Sequence, residues 1–213
     1  MIICDQPPIA YFPPTKTGTT TVEHMLADQG IPITVGRALK HDMADPEVVA
    51  DLDKDGYFFM ITLRNPYSRA VSMWSHFHRE LEQTGIHTVV AKSPLQLASE
   101  GLTFARWVDK VLLSEHNGLR YASYFRAQAD YLAAMPRIDA KLRQETLVRD
   151  LLNLPFIDKE KWRVRHERVG VYRRNSHWRR VYGDDPGLIA AVKSRFEADF
   201  EAAGYSPNFE DAT

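Results

Sequence analysis

The sequence predicts an α/β protein in which a mostly parallel sheet is flanked by helices. Short apolar runs alternate with longer segments in which apolar residues recur at helical spacing. The run at residues 57–63 is apolar without alternation, which is typical of a central strand covered on both faces. Strands that alternate with helices favour a parallel sheet with helices on both sides.

Five apolar segments are predicted strands, and five segments with helical spacing are predicted helices. The predicted strands are residues 9–12, 31–35, 57–63, 138–142 and 169–172. The predicted helices are residues 20–29, 66–82, 103–115, 146–152 and 186–203. Residues 84–136 contain no clear strand, so we expect a mostly helical insertion within a single domain of residues 1–213.

Composition and charge exclude several classes of protein. The chain has 44% apolar and 26% charged residues and a formal net charge of −1, so any anion binding must be local. Cys4 is the only cysteine, which excludes an internal disulfide framework and a cysteine-based zinc site. No apolar run reaches the roughly 18 residues of a membrane span, and no signal-peptide pattern is visible. We therefore expect a soluble cytoplasmic protein without an integral membrane segment.

The turn after the strand at residues 9–12 is suited to anion binding. It contains Lys16, one glycine and several threonines directly before a helix. Helix starts present unpaired N–H groups and a positive dipole end, and a lysine can reach anionic oxygens above them. Thr20 and Glu23 fit a capping box, which places the helix start near Thr19 or Thr20. The turn therefore predicts a site for a phosphate- or sulfate-bearing ligand.

The same turn differs from the loop by which kinases and ATPases bind triphosphates. That loop reads G-x-x-x-x-G-K-[ST], with glycines before the lysine. Residues 9–17 contain no glycine, and Gly18 follows Lys16. A small-molecule kinase is therefore a weakened alternative that the sequence leaves open.

A second motif begins where the predicted central strand ends, at Arg64. Asn65 is a favourable N-cap and Pro66 a favourable first helical residue, so the helix boundary is well marked. Arg64 is thus expected at the carboxyl edge of the sheet, where ligands bind in such folds. Ser72 lies about two turns into the helix and can present its hydroxyl to the same groove. Arg69 is favoured as a structural ion-pair residue.

Together the two motifs resemble those of sulfotransferases that use 3′-phosphoadenosine 5′-phosphosulfate (PAPS). Lys16-Thr17-Gly18-Thr19-Thr20 resembles the loop that holds the 5′-phosphosulfate in that family. Arg64, with Ser72 eight residues later, resembles the 3′-phosphate motif. One departure is Thr15, which separates Pro14 from Lys16 where the family usually has Pro-Lys.

Weaker similarity, to the carbohydrate-sulfotransferase branch, extends the resemblance to about residues 9–75 and 138–206. It includes Lys40-His41-Asp42 before the central strand, and Glu145, Leu147 and Asp150 after a later one. It also includes Asn175-Ser176 in an arginine-rich segment, and Phe196, Asp199, Gly204 and Tyr205 near the C-terminus. Glu145 is expected to order the site or pack the sheet. Residues 84–136 match no known pattern, and acceptor choice is expected there.

The resemblance implies a three-layer fold like that of P-loop nucleoside triphosphatases. It implies PAPS as the donor, 3′,5′-bisphosphoadenosine (PAP) as the product, and no metal. Lys16 would stabilise the leaving phosphate. The residues that would bind the donor are Lys16, Thr17, Gly18, Thr19 and Thr20 for the 5′-phosphate, and Arg64 and Ser72 for the 3′-phosphate. In this family a late basic loop closes over the nucleotide, so further candidates are Arg173, Arg174, Asn175 and Ser176.

The implied acceptor is a hydroxyl group of a carbohydrate, and a base must remove its proton as it attacks. His41 is the first candidate, because it occupies a position that resembles that of the family's catalytic histidine. His76 and His78, on the helix that carries Ser72, are rivals, and Glu23 is a more distant one.

A non-enzymatic polyanion-binding module is a further alternative. Residues 163–180 contain seven arginines, and Trp178 in this segment fits either adenine stacking or the core. The net charge of −1 and the lack of aromatic residues interleaved in an RNA-binding pattern argue against a nucleic-acid partner.

Overall fold

The computed structural model describes residues 1–34, 41–83, 98–99, 101–114, 122–161 and 177–212. Its sheet has four strands in the order β1-β2-β3-β4. The strands are β1 (Ile2–Asp5), β2 (Pro8–Phe12), β3 (Phe58–Leu63) and β4 (Ala140–Arg143). β1 pairs with β2 in antiparallel orientation, whereas β2–β3 and β3–β4 are parallel. The predicted α/β class with a mostly parallel sheet is confirmed.

The helices lie between and after these strands. In chain order they are α1 (Thr19–Asp28), α2 (Pro46–Lys54), α3 (Pro66–Gln83), α4 (Phe104–Trp107), α5 (Ala122–Phe125), α6 (Gln128–Ala133), α7 (Leu147–Leu151), α8 (His177–Tyr182), α9 (Pro186–Arg195) and α10 (Glu197–Ala203). α4 continues as a π-helix, Val108–Leu112, and a 3₁₀ turn, Gln144–Thr146, precedes α7.

The sheet separates two apolar cores. Successive residues of β3 point to opposite faces, so Phe59 and Ile61 belong to one core and Met60 to the other. Helices α2, α3, α9 and α10 cover the larger core, whereas α1 and α7 cover the smaller one. The apolar, non-alternating pattern of this strand is therefore explained by burial on both faces.

The strand predictions differ from the structure in two places. β1 was missed; a two-residue turn at Gln6 and Pro7 pairs it with β2. The predicted strand at residues 31–35 is wrong over its described part, because Ile31 packs in the smaller core and only Thr34 bonds to β1, through the Ile3 carbonyl. The predicted strand at residues 169–172 lies outside the described residues.

The helix predictions also need correction. α2 was missed, although Asp45 caps it by accepting the Glu47 N–H, and Pro46 begins it. The predicted helix at residues 186–203 is two helices, because Phe196 leaves helical geometry at φ −119° and ψ 26°. The segment predicted as a helix at residues 103–115 is α-helical only from Phe104 to Trp107.

A buried ion pair between Arg69 and Asp199 joins distant segments of the chain. Both side chains have 0% exposure, and Arg69 Nη1 lies 3.2 Å from Asp199 Oδ2. Arg69 also donates Nε to the Thr15 carbonyl (3.0 Å) and Nη2 to the Arg126 carbonyl (2.8 Å). Asp199 accepts the backbone N–H of Ala129 at 2.9 Å. The predicted structural role of Arg69 is confirmed.

Each charged group of this pair is stabilised in its ionised form by the other. Burial raises the pKa of Asp199 and lowers the pKa of Arg69, because each charged form has lost its water. Their mutual attraction opposes both shifts, and the hydrogen bonds that Asp199 accepts from Ala129 and Gln128 oppose the shift of its own pKa. Removing one partner therefore leaves an uncompensated buried charge.

We predict that Arg69→Met lowers the free energy of unfolding by about 3–5 kcal/mol, because it strands the Asp199 carboxylate. Urea unfolding measures the change. The control is Lys54→Met, which breaks an exposed ion pair with Asp51 and should leave the midpoint unchanged. Similar midpoints for the two variants would show that the buried pair contributes little.

Candidate functional site

The two sequence motifs meet at one edge of the sheet. β2 and β3 are parallel neighbours, so the turn after β2 and the residues after β3 leave the sheet at the same edge. Arg64 Nη1 donates to the carbonyl of Lys16 at 3.2 Å, and Arg64 Nε donates to Ser68 Oγ at 2.9 Å. The expected proximity of Lys16 and Arg64 is therefore observed as a direct contact.

The backbone of the turn is shaped as an anion cradle. Lys16 and Gly18 both have positive φ, at 68° and 104°. The N–H groups of Thr17, Gly18, Thr19 and Thr20 donate to no backbone carbonyl of the described residues. Consecutive N–H groups in such a conformation, at the start of a helix, form a site for an anion.

The capping box predicted at Thr20 and Glu23 is wrong, although the helix start near Thr19 is confirmed. The N-cap residue is Gly18, and no side chain caps α1 within the described chain. Thr20 lies inside the first turn, where its side chain cannot occupy the cap position. The first N–H groups of α1 are therefore left to a ligand or to solvent.

A chain of hydrogen-bonded hydroxyl groups connects the turn to strands β2 and β3. Thr17 Oγ1 donates to the Pro14 carbonyl at 2.7 Å, so it must accept from Thr62 Oγ1, also at 2.7 Å. Thr62 in turn must accept from the Tyr11 hydroxyl at 2.7 Å. Burial raises the pKa of Tyr11, which keeps this donor protonated. The Thr17 hydroxyl is thus engaged inside the protein, so only the backbone N–H of Thr17 could bind a ligand.

The second motif is ordered by side chains from near the C-terminus and from the 3₁₀ turn after β4. Asn65 Oδ1 accepts the N–H of Tyr67 at 3.0 Å, which confirms Asn65 as the N-cap of α3. The N–H of Asn65 donates to Glu145 Oε1 at 2.8 Å, and the Tyr205 hydroxyl donates to Glu145 Oε2 at 2.8 Å. Glu145 therefore orders the strand-to-helix junction, as expected.

Ser72 and His76 follow Arg64 along one face of α3. Ser68, which bonds to Arg64, is four residues before Ser72, and Ser72 is four residues before His76. Ser72 is half-buried, and the His76 ring stacks on Tyr124 with centroids 6.3 Å apart. The structure thus places Ser72 on the same face of α3 as Ser68, whose side chain contacts Arg64.

His41 lies beside the anion-binding turn. Its Nδ1 is 2.7 Å from the Pro13 carbonyl, three residues before Lys16. Because a carbonyl only accepts, Nδ1 carries the proton in the neutral ring, and Nε2 is the nitrogen that can accept one. The Tyr131 hydroxyl donates to the backbone carbonyl of His41. This geometry suits a general base.

Several predicted site residues lie outside the described part of the structure. They are Lys40, Arg173, Arg174, Asn175 and Ser176, together with the side chain of His78. Trp178 is described and belongs to the larger core, where its ring stacks on Tyr67. Adenine stacking by Trp178 is therefore excluded by its burial.

Among the described residues there is neither a metal-binding group nor a membrane-spanning helix. Within the described ranges, no group of three or more His, Cys, Asp or Glu side chains is placed to hold a metal ion. None of the described helices is long and apolar enough to cross a membrane.

We predict that Gly18→Ala destabilises the protein more than Gly56→Ala does, by about 1–3 kcal/mol. Both glycines have positive φ, so both substitutions strain the backbone. A Cβ at position 18 would also lie 2.7 Å from Leu147 Cδ2, whereas one at position 56 meets nothing within 4 Å. Urea unfolding of both variants measures the difference, and equal losses would contradict the close packing of Gly18 against α7.

Comparison with known proteins identifies the family. No match was found among curated proteins or among solved structures. The family model described as the sulfotransferase family matches residues 2–206, a span that contains the anion-binding turn, Arg64, Ser72 and His41. Since this match covers nearly the whole chain, the protein belongs to the sulfotransferase family.

Proposed function

We propose that this protein transfers a sulfuryl group from PAPS to a hydroxyl group of a carbohydrate. The observation that carries the proposal is the hydrogen bond from Arg64 to the carbonyl of Lys16. It joins an anion-binding turn and a cationic side chain at one edge of the sheet. Two neighbouring anion sites suit a nucleotide with phosphate groups on both its 5′ and its 3′ oxygen. ATP and AMP have no phosphate on the 3′ oxygen.

The described residues fit such a donor. The N–H groups of residues 17–20 would bind the 5′-phosphate, and Arg64 and Ser72 would bind the 3′-phosphate. Helices on both faces of the sheet support the three-layer, P-loop-like architecture implied by the resemblance.

The catalytic contribution of Lys16 would be electrostatic. The donor supplies an electron-poor sulfuryl group on a phosphate leaving group. Transfers of this kind depend on positioning and on charge stabilisation. Lys16 sits at the apex of the turn in a left-handed conformation, held at its carbonyl by Arg64. Its ammonium group would stabilise the negative charge that develops on the leaving phosphate.

His41 would act as the general base. Its Nδ1–H bond to Pro13 fixes the tautomer and leaves Nε2 as the proton acceptor. Nε2 would take the proton of the acceptor hydroxyl as the oxygen attacks. His76, stacked on Tyr124 beyond Ser72, is the alternative base.

The proposed acceptor class and the proposed location rest on the sequence alone. The carbohydrate acceptor rests on the resemblance of Lys40-His41-Asp42 to one branch of the family. Acceptor choice within residues 84–136 and a cytoplasmic location remain predictions.

We predict that PAP raises the melting temperature far more than AMP or ATP does, since only PAP offers both a 5′- and a 3′-phosphate. A ligand at 100 times its dissociation constant adds about 2.7 kcal/mol of stability. In Arg64→Ala and Ser72→Ala, PAP should lose its advantage over AMP. Lys54→Ala is the control, because Lys54 is an exposed partner of Asp51 at the end of α2. Equal shifts for PAP and AMP in the unsubstituted protein would reject the 3′-phosphate site.

We predict that His41→Asn lowers turnover by about 10²–10⁴-fold, because it removes the base. An asparagine amide can still donate to the Pro13 carbonyl, so the affinity for PAP should not change. Transfer of labelled sulfate from PAPS to a panel of sugars measures turnover, and calorimetry measures PAP binding. Lys16→Met, tested in parallel, should also lose turnover, because charge on the leaving phosphate is no longer stabilised.

His76→Ala separates the two candidate bases in the same assay. A large loss of turnover in His76→Ala with retained turnover in His41→Asn would assign the base to His76. A loss of PAP affinity in His41→Asn would instead show that His41 supports donor binding.

A further inference from the structure

One side chain of helix α6 binds both backbone polar groups of Arg64. Gln128, the first residue of α6, has 0% exposure. Its Oε1 accepts the N–H of Arg64 at 2.8 Å, and its Nε2 donates to the carbonyl of Arg64 at 2.9 Å. One carboxamide therefore satisfies both backbone polar groups of the residue from which the cationic side chain extends.

The same helix also holds His41. The hydroxyl of Tyr131, three residues after Gln128, donates to the backbone carbonyl of His41. Tyr131 is 1% exposed, and burial raises the pKa of Tyr131 to about 12, so the hydroxyl stays protonated and remains a donor. The two contacts lie on neighbouring turns of one short helix.

Helix α6 is itself tied to the rest of the site. Asp199 Oδ1 accepts the N–H of Ala129, and Asp199 Oδ2 accepts from Gln128 Nε2 at 3.3 Å. Arg69 bonds to the carbonyl of Arg126, just before the helix, and to the carbonyl of Thr15, in the anion-binding turn. The position of α6 is therefore set by the buried ion pair that also holds the turn.

We infer that Gln128 and Tyr131 are positioning residues through which α6 aligns Arg64 with His41. The inference rests on the proposed function, because it concerns the residues assigned there to the 3′-phosphate and to the base. Gln128 acts by fixing the direction in which the Arg64 side chain leaves the backbone. Tyr131 acts by fixing the loop that carries His41. The segment expected to select the acceptor thus also completes the donor site.

The first arm of the test substitutes Gln128 with methionine, which has nearly the same shape but no amide. We expect the dissociation constant of PAP to rise about 10–100-fold, since a small misplacement of a binding group has effects of this size. In an Arg64→Ala background the same substitution should change PAP affinity by less than about twofold, because Gln128 acts through Arg64.

The chain offers a matched control for this arm. Gln29 pairs its carboxamide with both the N–H and the carbonyl of Asp158, each at 2.9 Å, on the surface. Gln29→Met removes the same pair of hydrogen bonds away from the site and should leave PAP affinity unchanged. If Gln128→Met does not fold, Gln128→Asn takes its place, because its amide stays neutral beside the Asp199 carboxylate but is too short to reach both backbone groups of Arg64.

The second arm is Tyr131→Phe, which removes only the hydroxyl. We expect turnover to fall about tenfold with PAP affinity unchanged, and the loss to disappear in a His41→Asn background. Tyr57→Phe is the control, because the Tyr57 hydroxyl bonds to Asp5 at an exposed position.

The outcomes separate the inference from the proposed function. An unsubstituted protein that does not prefer PAP over AMP would overturn both. Suppose that this preference is present. The inference for Gln128 would then be overturned if Gln128→Met weakened PAP binding as much in the Arg64→Ala background as in the unsubstituted protein. The proposed function would still stand. A Tyr131→Phe effect that persists in the His41→Asn background would likewise overturn the inference for Tyr131 and leave the proposed function standing.

Discussion

The buried ion pair of Arg69 and Asp199 holds together segments that lie far apart in the chain. Arg69 extends from the helix after the central strand, and Asp199 comes from the last long helical segment. The pair has no exposed surface, so its attraction is screened little by water or salt. Through its remaining hydrogen bonds it fixes the carbonyls of Thr15 and Arg126 and the N–H of Ala129. The anion-binding turn and helix α6 are positioned by the same two charges.

The turn shows how tertiary contacts maintain a strained backbone. A lysine with φ of 68° is unfavourable by itself, and such residues persist where their surroundings over-determine them. Here the Thr15 carbonyl is bound by Arg69, the Lys16 carbonyl by Arg64, and the Thr17 hydroxyl by Pro14 and Thr62. Each of these bonds satisfies an oxygen of the turn, whereas the N–H groups of residues 17–20 donate to no backbone carbonyl of the described residues. Anion binding by backbone donors requires this arrangement before any ligand arrives.

The site is built from both faces of the sheet and from both halves of the chain. Helices α1 and α7 on one face supply the cradle and its packing partner Leu147. Helix α3 on the other face supplies Ser72, while α6 supports Arg64 through Gln128. A sulfotransferase needs a donor site and a base at a fixed separation, because transfer is governed by alignment. In the proposed mechanism, the sheet edge and the buried pair would provide this fixed separation.

The sequence alone determined the class of fold, the helix start near Thr19, the N-cap at Asn65 and the ion-pair role of Arg69. These features depend on residues a few positions apart or on a charge in an apolar context, which a single chain displays directly. Only the tertiary structure decided which partners serve the site. Gln128 bonds to a residue 64 positions away, and Asp199 pairs with one 130 positions away. Such long-range contacts arise from packing, and local sequence patterns carry no signal for them. The structure also decided the cap of α1, because Thr20 and Glu23 fit a capping box whereas the N-cap residue is Gly18.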